Sequence, residues 1–113
     1  MKSPIINDPF VMVAQAFENV YPDKKYMAWV YPEFEKEFGE GYGVTNFYED
    51  DSTPDIYLNA DAPYYVLIEI FAHELAHVAV GVGEEHGEQW ESAFDAIFQE
   101  FNRLLEQKYA EES

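Results

Sequence analysis

The chain has no cysteine. Disulfide cross-links and thiolate metal ligands are therefore excluded, and any metal must be held by nitrogen and oxygen. Bases are scarce too. Six lysines and arginines face 23 aspartates and glutamates, for a formal net charge of -17. A surface this negative repels phosphate backbones and anionic membranes, so direct binding of nucleic acid is not expected. Long apolar runs are missing: no stretch approaches the roughly 18 uninterrupted apolar residues of a membrane span. The opening Met1-Lys2-Ser3-Pro4 reaches Asn7-Asp8-Pro9 without the apolar core of a signal peptide. A cytoplasmic protein with no membrane contact is the expectation.

Histidine is the last scarcity and the most informative. Only three occur in 113 residues, and His73, His77 and His86 all fall within 14 consecutive positions. From Tyr64 to Val82 the sequence is apolar nearly all round, which predicts a helix buried on most sides. On such a helix His73 and His77, at i and i+4, lie about 40° apart around the axis and roughly 6 Å apart along it. Two neutral imidazoles so placed can close on one Zn²⁺ at about 2.0 to 2.1 Å each.

The third histidine has its own helical context. His86 stands four residues before Trp90, after which Phe94, Ile97, Phe98, Phe101, Leu104 and Leu105 recur at three- and four-residue intervals. This stripe predicts an amphipathic helix from about Glu84 to Tyr109, with His86 at the head of its inward face. Gly81-Val82-Gly83 supplies the stop and turn that fold it back on the first helix. Three nitrogens then surround the metal and the fourth position is left for water, as in a catalytic zinc site. Glu74, between the two helical histidines, is placed to deprotonate that water. The alternatives are three imidazoles without a metal, or a closed structural site. The latter needs a fourth ligand such as Glu69, Glu85 or Glu88 and leaves Glu74 without a role.

The run His73-Glu-Leu-Ala-His77, eight further residues, then His86-Gly87-Glu88-Gln89-Trp90 resembles the SprT-like branch of the zincin metallopeptidases. Their pattern is HExxH, a short glycine-containing turn, then HGxx and an aromatic residue. Asp55-Ile56-Tyr57-Leu58-Asn59 also resembles the strand leading into the metal helix of small zincins, and the likeness spans about residues 55 to 101. It does not extend to the metzincins, whose glycine and histidine would stand where Val80 and Gly83 are. The resemblance implies zinc held by His73, His77 and His86, Glu74 as general base, and hydrolysis of peptide bonds. Some SprT-like proteases act on proteins attached to DNA through basic regions that this chain does not have.

The rest of the chain fits one small α+β domain over residues 1 to 113. Asp8 as N-cap and Pro9 at the first position open a helix ending before Pro22, with Phe10, Val13, Ala14, Phe17, Val20 and Tyr21 on one face. Residues 24 to 31 read as strand or helix, their aromatic content favouring strand. Pro32 to Phe38 makes a short helical piece closed by Gly39. Val44 to Tyr48 and Asp55 to Asn59 form an antiparallel hairpin across an acidic turn, so a short antiparallel sheet of two or three strands is expected. The resemblance makes one of these strands a shelf for extended substrate. Glu49, Asp50, Asp51 and Asp55 read as a solvated loop, with calcium as the minor alternative. Asp61 is the expected cap of the metal helix, Pro63 lies in its first turn, and Glu69 is a candidate to orient His73.

An oxyanion donor is also needed, and Tyr42, Tyr48, Tyr57, Tyr64 and Tyr65 are the candidates. A protein or peptide substrate follows, and a basic one suits the negative charge. The contrasting class is an acidic mimic of nucleic acid that occupies the grooves of DNA-binding proteins.

Overall fold

The structure is a computed structural model, and it describes residues 8–50, 52–82 and 86–112. Helix α1 (Pro9–Val20) begins as its sequence requires: the Asp8 carboxylate accepts the Phe10 N–H at 3.0 Å and Pro9 occupies the first turn. Its inward face, Met12, Val13, Ala16 and Phe17, packs chiefly on the C-terminal helix and also on the helix that carries His73 and His77. Strand β1 (Met27–Tyr31) settles the ambiguous segment as extended, and α2 (Phe34–Phe38) follows with Phe34 buried.

Strands β2 (Gly43–Asn46) and β3 (Asp55–Asn59) pair antiparallel, as expected from the hairpin. β1 joins β3 in parallel, from Met27 opposite Asp55 to Tyr31 opposite Asn59, so the sheet is mixed, in the order β1-β3-β2. A parallel neighbour needs a long crossover, which residues 32–54 provide. β3 lies in the middle. Its Ile56 and Leu58 are buried, while Tyr57 on the opposite face stacks on Phe38 with ring centroids 4.9 Å apart.

Buried Asn59 closes β3, accepting the Asp61 N–H and donating its amide to the Gly41 carbonyl, which ties down the glycine loop. This turn displaces the expected cap. α3 (Tyr64–Val80) starts after Pro63, and Asp61 does not cap it. The helix ends at Gly81, whose φ of 84° lies in the left-handed region and whose N–H reaches the His77 carbonyl at 2.9 Å.

α4 (Glu88–Glu112) starts later than the sequence suggests, its first turn closed by the Glu91 N–H on the Gly87 carbonyl. Glu84 and Glu85, the expected first turn, lie outside the described residues. Ala93 and Ile97 of α4 are fully buried against α1 and α3, with Trp90, Phe94, Phe98, Phe101 and Leu104 packed around them. Among the described residues, no helix is long and apolar enough to cross a membrane.

Candidate metal centre

α3 carries His73 and His77 on one face, half-buried, with ring centroids 5.2 Å apart. His86 is exposed and comes from the turn before α4, not from the helix itself. It nevertheless converges. Its ring lies 4.8 Å from that of His73 and 5.0 Å from that of His77, and one nitrogen from each of the three fits within 4.8 Å of the others.

One separation matches a shared ion as well as a direct imidazole–imidazole hydrogen bond. Two donors bound at about 2.0 to 2.1 Å to one tetrahedral ion stand about 3.3 Å apart. The Nε2 atoms of His77 and His86 are 3.2 Å apart. The His73 ring has its Nδ1 3.2 Å from Glu74 Oε2. In the tautomer that donates from Nδ1 to this carboxylate, Nε2 keeps the lone pair that a metal requires. Three imidazole nitrogens, with no carboxylate among them, make up the only such group among the described residues. The donor set suits zinc-like ions and offers nothing to calcium.

Trp90 holds the cluster together. Its ring centroid lies 4.6 Å from His86 and 4.8 Å from His73, and its indole N–H donates to the His73 carbonyl at 3.2 Å. In the sequence it is the first apolar residue of the stripe and the aromatic residue of the HGxx motif. Its N–H, a donor that a core position must satisfy, was the available signal.

Glu74 is buried and held from the sheet side, where the Thr45 hydroxyl donates to its Oε1 at 2.7 Å. Burial, the largest influence, pushes the pKa of this carboxyl up. Hydrogen bonds with His73 and Thr45, reinforced by the imidazole charges, outweigh it, and the net result lies below the ordinary value. Gly43 makes the contact possible. A Cβ there would stand 2.6 Å from Ile70 Cγ2 and 3.3 Å from Glu74 Cγ, so only glycine lets β2 lie this close to α3. Thr45 has no signature in the sequence, because its role comes from strand register.

A cleft of about 460 Å³ opens over these groups, walled by Gly43, Val44, Thr45 and Phe47 on the sheet side and by Gly81 and Val82 beyond α3. None of the five candidate tyrosines lines it. Tyr57 is on the far face of the sheet with Phe38, and Tyr64 and Tyr65 are exposed at the start of α3. Tyr48 borders the adjoining cleft and donates to Asp55. Glu69 is exposed, so the carboxylate at the His73 ring is that of Glu74. Glu88 is exposed as well, and Glu85 lies outside the described residues.

The fold and the cluster together define a small α+β protein with three histidines close enough to hold a metal ion. No family model matches the chain, and no curated protein or solved structure matches it.

Proposed function

We propose that the chain is a zinc-dependent peptidase of the SprT-like zincin kind. The observation that carries this reading is the convergence of three imidazole nitrogens beside a buried carboxylate, Glu74, at the floor of a cleft edged by β2. His73, His77 and His86 would hold the ion. Bound there, zinc supplies Lewis acidity, polarising a carbonyl and bringing the pKa of water toward about 7.

The protein's own residues do the rest. β2 is an edge strand beside the cleft, suited to align an extended peptide by main-chain pairing. Glu74 accepts a proton from the attacking water and returns it to the leaving amine. A carboxylate oxygen accepts up to two hydrogen bonds, so the bonds to Thr45 and His73 orient Glu74 and leave it acceptor capacity. The acidic-mimic alternative uses the charge but leaves the meeting of the three histidines without a purpose.

Two measurements test the proposal. Metal analysis of the purified protein is expected to give one zinc per chain, lost in His86→Ala. The zinc-loaded wild type is expected to cleave an unfolded protein, and Glu74→Gln at equal zinc content is not. Full cleavage by Glu74→Gln, or wild type without metal affinity, would overturn the reading.

A further inference from the structure

Two clefts meet beside the histidine cluster, at Phe47, Gly81 and Val82. The one over the histidines shares Phe47, Gly81 and Val82 with a second of about 390 Å³, and the wall of the second includes Lys24 and Lys25. These are two of only six bases in a chain of net charge -17. Among the described residues neither forms an ion pair, nor does Lys36, whereas Arg103 is paired with Glu100 and Lys108 with Glu111. In a protein with acids in such excess, an unpaired pair of ammonium groups at the end of a groove is an unspent recognition element. Asp23 lines the same cleft, Asp50 and Asp55 are hydrogen-bonded to its Ser52 and Tyr48, and the two lysines also line a neighbouring cleft beside Glu18.

We infer that Lys24 and Lys25 read an acidic side chain of the substrate, lying along the groove beyond Phe47 and away from the scissile bond. This rests on the peptidase reading of the histidine site and adds the substrate class. Thr45, on Glu74, marks the reacting end, and Phe47 lies two residues further on, just past the end of β2. Extended chain advances about 3.3 Å per residue, so an acid lying past Phe47 falls more than about two residues from the reacting bond. Phe47 and Val82, both exposed, give the intervening substrate residues an apolar contact. The overall negative field still draws basic polypeptides. It is screened beyond about 8 Å at physiological salt, so the lysine contact acts locally and selects within what the field attracts.

Binding is measured separately from catalysis. The probes are labelled, C-terminally amidated peptides of about 12 residues, identical except for Glu, Gln or Lys at the distal position. They are titrated onto zinc-loaded Glu74→Gln, with and without the added pair Lys24→Glu and Lys25→Glu. Both lysines are exposed, and circular dichroism checks the fold. The expected result is about fivefold tighter binding of the Glu peptide than of the Lys peptide, reversed by the double substitution and weakened by salt. Equal affinities, a Lys preference in the unswapped protein, or no binding of any peptide would overturn the inference. Cleavage of the same peptides by wild type tests the peptidase reading separately. Cleavage without charge preference removes only the lysine contact, and charge-selective binding without cleavage removes only the reaction.

Discussion

Replacing Thr45 by valine keeps the shape of the side chain and removes the hydroxyl that donates to Glu74 Oε1 at 2.7 Å. Glu74 is 6% exposed, and this hydroxyl is its hydrogen-bond partner from the sheet. A hydrogen bond to a charged group contributes about 1.5 to 3 kcal/mol, and about 2 kcal/mol is the expected destabilisation of the metal-free protein near neutral pH. In a domain of this size that is roughly 8 °C in Tm.

The pH dependence has a definite sign. The folded-state pKa of Glu74 lies below its ordinary value, so its contribution is present above the unfolded-state pKa and is lost as pH falls through the folded one. Removing the Thr45 bond leaves burial less opposed and raises that pKa. The wild type and Thr45→Val therefore differ most at neutral and higher pH, and the gap narrows in acid once Glu74 is protonated in both. Urea unfolding with chelator present, repeated across pH, reads the effect, and Thr45→Ser should restore most of the loss. A gap that stays constant with pH, or equal losses for valine and serine, would refute the assignment of the hydroxyl to the ionised carboxylate.

Gly43→Ala places a methyl group against Ile70 and Glu74 and is expected to cost about 1 to 3 kcal/mol by thermal melting, with zinc affinity falling in parallel. Trp90→Phe keeps the ring and removes the N–H on the His73 carbonyl. It should cost about 1 kcal/mol and weaken zinc in competition with a chromophoric chelator, without abolishing binding. Zinc at 100 times its Kd should stabilise the wild type by about 2.7 kcal/mol, and His86→Ala should lose most of this gain. Asp8→Ala removes the α1 cap and should lower stability by about 1 kcal/mol with zinc affinity unchanged.

Local signals carried most of the fold into the sequence. The Asp8-Pro9 start of α1, the i, i+4 placement of His73 and His77, and the stripe from Trp90 onward follow from turn chemistry and helical period, which depend only on near neighbours. What could not be read there involved partners distant in sequence. Strand residues 27–31 carry nothing that says parallel or antiparallel. That outcome depends on β3 taking the central position, with buried faces for Ile56 and Leu58. Thr45 reaches Glu74 across 29 positions of sequence, a contact set by register and by the missing side chain of Gly43. The tyrosines near the motif do not line the cleft, because nearness in sequence chooses neither a face of the sheet, as at Tyr57, nor a side of a helix start, as at Tyr64 and Tyr65. The apolar stripe begins at Trp90 and says nothing of the turn before it, which is where His86 stands.

Having His86 in a turn changes how the site works. α3 fixes two nitrogens through its own backbone bonds, whereas the third depends on how α4 docks. That docking is reported at the site by Trp90, which touches His86 with its ring and the α3 backbone with its N–H. An ion that binds all three histidines therefore binds only the docked arrangement and must stabilise it, and by linkage any loss of α3–α4 packing must weaken the ion. Ile97, fully buried two turns along α4 from Trp90, does not line the cleft. Ile97→Ala should nonetheless lower zinc affinity, and zinc should recover part of the stability that the variant loses. A site made only of α3 residues would show neither effect, so this reciprocity distinguishes a centre assembled by the fold from one carried by a single helix.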